Sequence, residues 1–348
     1  MTIPQLIKYL LTKLQTRLAK LTPGQGLFFL SPLLGEVVSG YLSPLAILNP
    51  LVFVITVVPY GCGALIVREW SIRYRKGWIS LVLLALAFGL FFEGIVTRVL
   101  FNPSWQDLGA LAEYSHVRGV NWTLAVGIVH FQATIAIISA ILLAEMIYPE
   151  RRDESWISTR ALKRCCLALP GWTLVIGIFV SFIPPLLGAL ALLGLVAGLI
   201  LLALVIPARP FPPRKRLIAR PLVYGLVGGI GMTLIMLGTY IVPEWDSRPP
   251  MTTTFTALLL LVFAELALLT LLNNGGAAWT DRQRLALVIG WLAFFLAFDI
   301  TQDLGGFAGR SLVGLATIWQ LRRLWWLLGT RKWSESPAGN KSCATPSP

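Results

Sequence analysis

The sequence predicts an all-α fold: a polytopic transmembrane helix bundle of about ten spans (eight to ten), with an N-terminal amphipathic surface helix. Three observations predict it. Of 348 residues, 56% are hydrophobic and only 13% charged, about half the ~25% charged share of a soluble domain, and the mean hydropathy is +0.74. Apolar stretches of helix-spanning length recur from end to end. Lys and Arg fall almost entirely into every second gap between them.

Residues 1–24 form the basic amphipathic interfacial helix. Ile7, Leu10, Leu11, Leu14, Leu18 and Leu21 recur at helical spacing, Lys8, Lys13, Arg17 and Lys20 lie between them, and Thr22-Pro23-Gly24 ends the run. The first 25 residues lack a continuous apolar core, so no cleavable signal is expected.

Residues 25–329 form the transmembrane domain. A hydrocarbon core about 30 Å thick takes about 20 apolar residues per helix. The candidate spans are 26–43, 46–67, 78–101, 120–148, 165–184, 186–206, 220–242, 252–273, 284–302 and 308–328. The first is broken by Pro32, Gly35 and Gly40, and the last is interrupted by Arg322 and Arg323. Ile183-Pro184-Pro185 makes a tight hairpin between spans five and six. Gly194-xxx-Gly198 and Gly225-xxx-Gly229 permit close helix approach. Residues 330–348, rich in Ser, Pro, Ala and Lys, form a disordered cytoplasmic tail. No internal duplication marks an inverted-repeat transporter.

Ten crossings leave only Arg98, Arg118, Arg248 and Arg310, of 29 Lys and Arg, on the outer side. This bias places both termini in the cytoplasm and the chain in the cell (inner) membrane. The net charge of +13 is spread over the ends of apolar runs. It therefore reads as topology signal and anionic-lipid contact at the cytoplasmic face, not as a nucleic-acid surface. Cys62, Cys165, Cys166 and Cys343 lack metal or redox spacing, and no cofactor is expected.

An ionisable side chain at mid-membrane costs roughly 2.5–3.5 kcal/mol on insertion scales. The short list is Glu36, Glu93, His130, Glu265 and Asp299, with Arg98 near a helix end. Glu36 lies seven residues from the outer end of its span, Glu93 eight, His130 ten and Asp299 three. These four are expected to meet in one chamber in the outer half of the bilayer, with Glu265 deeper and separate. A short loop joins spans three and four, so Glu93 and His130 are expected to touch. Such a pair suits general-base activation of water or a proton relay, and a neutral packing pair is the plainer alternative. Arg98, about 140° round the helix from Glu93, snorkels or borders the polar cavity. Asp299 and Asp303 share one helical face there. Asn121-Trp122-Thr123 is formally a glycosylation sequon but sits against the membrane, where Trp105 and Trp122 act as anchors.

Glu93-Gly94-Ile95-Val96-Thr97-Arg98, followed by His130, resembles the CPBP (CAAX protease and bacteriocin-processing) intramembrane protease family. That family carries Glu-Glu-xxx-Arg on one membrane helix and Phe-xxx-His on the next. The resemblance implies Glu93 as the water-activating glutamate, His130 as its partner and Arg98 as the motif arginine. Gly94 stands where the second glutamate belongs, Val126 where the phenylalanine belongs, and no histidine follows His130. As a whole the chain resembles uncharacterised bacterial multi-pass membrane proteins. Three functions stay open: a transporter or lipid carrier, a hydrolase using Glu93 and His130, and a non-catalytic assembly partner.

Overall fold

The computed structural model describes residues 21–105, 108–114, 116–210, 219–245, 250–273, 279–302 and 309–330. Most of the expected N-terminal surface helix, Asp303 and the expected tail beyond Thr330 lie outside the described residues.

The architecture is an all-α bundle. α1 (Pro23–Pro32) is capped by Thr22 and continues as a π-helical segment, Leu33–Val38. α2 is Pro50–Arg73, capped by Asn49. α3 (Trp78–Phe91) ends in a second π-helical segment, Phe92–Val96. A short helix, α4 (Leu111–Tyr114), and a two-stranded hairpin, β1 (His116–Val117) with β2 (Val120–Asn121), lead into the next span. That span runs as α5 (Trp122–Phe131), a third π-helical segment (Gln132–Ser139) and α6 (Ala140–Ile147). α7 (Thr159–Phe179), α8 (Leu186–Val205), α9 (Pro221–Tyr240), α10 (Met251–Asn273), α11 (Asp281–Gln302) and α12 (Arg310–Thr330) complete the chain.

Eight of these helical stretches are long and apolar enough to cross a membrane. The other two are the ones with sequence defects: the π-distorted first span and α12 with its paired arginines. Several boundaries moved: the first span ends at Val38, not 43, the second runs from Pro50 to Arg73, not 46–67, and the fifth ends at Phe179, not 184. The third span stops at Val96, not at residue 101, because Arg98 takes a left-handed backbone with φ +65°. The fifth starts at Thr159, not 165, because the Ser158 side chain accepts from the Ala161 amide.

Trp122–Ile147 is the central helix: 83% of its most apolar stretch is buried inside the protein, against 6% for Thr159–Phe179. α1, α2 and α3 pack on one side of it, with α7 against α2 and α8 against α3. α9, α10 and α11 pack on the other, with α12 against α11. The close approach of α9 to α11 rests on glycine: a Cβ on Gly290 would stand 2.2 Å from the Gly225 carbonyl oxygen. Gly194 and Gly198 of α8, by contrast, face open space. Pro59 inside α2 has no amide hydrogen to give the Ile55 carbonyl. The Trp172 indole of α7 supplies one instead, at 3.1 Å.

Two ends can be told apart. The basic end carries Arg68–Lys76 and Arg151–Arg164. At the opposite end, Val99, Leu100, Phe101, Leu108, Leu111 and Leu124 form a separate apolar cluster.

Candidate functional site: two membrane-span acids joined through Tyr60 and Gln132

Glu36 and Glu93 both sit on π-helical segments, and Gln132 opens the third. Such segments occur chiefly as local bulges, frequently at functional sites. A π turn leaves backbone carbonyls short of partners. Ser31 Oγ donates to one such carbonyl, Ala136 O, at 2.8 Å, and so ties α1 to the central span. Gly35 allows that contact, since a Cβ there would lie 2.9 Å from Ala136 Cβ and 3.0 Å from the Tyr60 ring. Gly89 likewise brings α3 onto Val129 and Gln132.

These approaches build one network. Gln132 Nε2 donates to Glu93 Oε1 and, at 2.8 Å, to the Tyr60 hydroxyl. The Tyr60 hydroxyl in turn stands beside the Glu36 carboxylate. The Thr97 hydroxyl donates to Glu93 Oε2 at 3.0 Å. Tyr240 stands near Glu93 and Tyr41, and Tyr41 accepts from the Trp105 indole at 3.4 Å. Glu93 is 4% exposed. Among the described residues, no Lys, Arg or His forms an ion pair with either acid.

Glu93 does not meet His130. His130 Nε2 lies 3.1 Å from Glu265 Oε2, and the Trp291 indole donates to Glu265 Oε1 at 2.5 Å. The reason is helical geometry. His130 and Gln132 are two residues apart, about 200° round the helix, so they face opposite sides of the central span. Glu265, expected to stand apart, is therefore the imidazole's partner. Asp299 is also elsewhere: it is buried against Gly40, with the Arg310 guanidinium beside it, past Glu36 on the first span. Asp303 lies outside the described residues. The single chamber expected for Glu36, Glu93, His130 and Asp299 is thus three separate places.

Arg98 neither snorkels nor borders the acids. Its Nη1 donates to Val180 O at 2.9 Å and to Phe182 O at 2.8 Å, capping the carbonyl end of α7. Gly94 abuts Leu192 of α8, which fills the space a side chain would need. Asn121 is buried, its amide donating to Leu111 O and its Oδ1 capping α5, which leaves no room for a glycan.

The residues that sequence reading missed are Tyr60, Gln132, Thr97 and Trp291. The earlier list admitted only ionisable groups. A glutamine inside an otherwise apolar span, two residues after His130, was the available signal. At the basic end it also missed a buried ion-pair network. Arg68 donates to Arg152 O and Glu154 O and lies 3.2 Å over the Trp156 ring, beside Glu69 and Glu145.

The fold and its buried polar interior define a multi-pass α-helical membrane protein. A family model described as an uncharacterized membrane protein family matches residues 27–328, and the chain belongs to that family. No curated protein and no solved structure matches it.

Proposed function

We propose that the chain is a proton-coupled carrier in the cell membrane, with Glu36 and Glu93 as its proton-binding pair and a cation, or a molecule bearing a cationic group, as its cargo. One observation carries this reading: two acids from different spans, inside the bundle, are linked through Tyr60 and Gln132 and have no cation in reach among the described residues. Two carboxylates cannot both stay ionised at this depth without a counter-charge. Protons meet that need in the resting state, and a cationic cargo meets it in the loaded state. The central span, packed on both sides, supplies the axis about which two helix groups can rock. The basic loops orient the basic end and both termini to the cytoplasm, where anionic lipid meets them.

Nothing in the geometry favours a CPBP-like hydrolase, because Glu93 faces an amide and a hydroxyl where that mechanism needs the imidazole. The test is reconstitution in liposomes with a pH-sensitive dye inside, scanned with metal and organic cations. Cation-driven proton release is expected, lost in Glu93→Gln and Glu36→Gln and kept in His116→Gln. A folded protein that moves no proton with any cation ends the carrier reading. Cleavage of a peptide or lipid that depends on Glu93 would replace it with the hydrolase.

A further inference from the structure

Across the central span from Gln132, four helices close around one imidazole. His130 is 1% exposed and Glu265 carries a side chain 2% exposed, so neither meets solvent. Glu265 comes from α10, its indole donor Trp291 from α11, and α9 contributes a notch. At that notch a Cβ on Gly231 would stand 2.6 Å from the Glu265 carboxyl, so glycine is what admits the carboxylate. The two groups are within ion-pair reach but off the line of a hydrogen bond. His130 Nδ1 has no hydrogen-bond partner among the described residues. One ring nitrogen thus faces the acid and the other stands open.

Other titratable groups on the elements packed against this helix point elsewhere. Glu93 belongs to the Gln132 network, Tyr240 stands near Glu93, Tyr224 donates to Leu272 O, Asp299 lies by Gly40, and Glu145 and Arg284 pair at the basic end.

We propose that His130 and Glu265 form a second proton-binding site, at nearly the same depth as Glu93 but on the opposite face of the central helix. The chemistry balances with one proton. With Glu265 ionised and the single ring proton on Nε2, within ion-pair reach of it, the pair carries one net negative charge. A proton added at Nδ1 converts it to carboxylate and imidazolium, with no net charge. Removing that proton restores the anion, which the surrounding apolar helices disfavour unless another cation arrives. Trp291 keeps Glu265 an acceptor by donating to its other oxygen. The proton binding stands apart from the carrier reading; only its use in a transport cycle rests on that reading.

The chain has two histidines, so ¹⁵N-histidine labelling of the full-length protein in nanodiscs gives two rings, and His116→Gln leaves His130 alone. On acidification, the ring is expected to pass from one protonated nitrogen to two. Glu265→Gln is expected to abolish the doubly protonated form. If Glu265→Gln does not fold, Trp291→Phe takes its place, with a changed ring spectrum expected. A ring holding one proton, in the same tautomer throughout and in every variant, overturns the proposal and leaves a packing contact. The liposome assay is independent: proton release without a titrating His130 would spare the carrier and sink this site.

Discussion

At the basic end, Glu69 meets Arg68 and Arg73, Glu145 meets Arg68 and Arg284, and Asp281 meets Arg152. Arg73 reaches on to Thr159 and to Ile157 O, and the Trp156 amide donates to Glu69. Inside the bundle, Glu36 and Glu93 face hydroxyls and an amide, with no ion pair among the described residues. The two regions hold the same acids under similar burial and neutralise them in opposite ways. Paired charges fix the loop at 148–158 onto α2 and α11, so that region is a lock. Acids without an ion-pair partner among the described residues are what the proposed carrier needs for its cation, so that region is the candidate site.

Substitutions that break this contrast should rank by how much fixed structure they remove. Arg68→Ala takes one arginine from Glu69, which keeps Arg73 and the Trp156 amide, takes one from Glu145, and frees two carbonyls. Losing one partner of a buried pair costs about 3–5 kcal/mol, so we expect a large fall in thermal stability and yield in detergent; a loss under about 1 kcal/mol would remove the lock from the account. Gly290→Ala drives a Cβ into the Gly225 backbone and should cost about 1–3 kcal/mol, whereas Gly194→Ala, facing open space, should cost nothing. Equal unfolding midpoints for the two would contradict the α9–α11 contact.

Smaller effects belong to the site. Tyr60→Phe removes the hydroxyl between the acids and should cost about 1 kcal/mol, with proton-coupled activity falling as far as in Glu36→Gln. Glu93→Gln should change stability least, within about 1 kcal/mol, because the amide oxygen still accepts from Gln132, the new NH2 can donate to the Thr97 hydroxyl, and no cation is left behind. A Glu93→Gln protein as unstable as Arg68→Ala would place Glu93 in the lock and abolish the contrast.

The spans were legible because most apolar runs have the roughly 20 residues a bilayer demands, and character summed over such a run outweighs most local irregularities. The site was legible in part. Glu36 and Glu93 stood out as costly residues at matching depth, and they do share one network. Their bridge did not stand out, because Tyr60 and Gln132 are neutral and ordinary in composition. His130 was assigned to the wrong acid for a different reason. Depth along a helix follows from counting residues, but the direction a side chain takes around it depends on which neighbours the helix acquires. Arg98 shows the same limit. Its sequence context suggested a motif or a snorkelling side chain, while its left-handed backbone sends it to the carbonyls that end α7.

Hydrophobicity summed over whole segments therefore determined, from sequence alone, that this chain is a helical membrane bundle and roughly where each helix begins and ends. Only the tertiary structure decided which acid meets which partner. That choice turns on single glycines at 35, 89, 231 and 290, which let backbones or carboxylates approach, and on three π-helical segments that rotate the chain by a fraction of a turn. Such rotations barely alter composition, yet they reassign every polar contact along the helix.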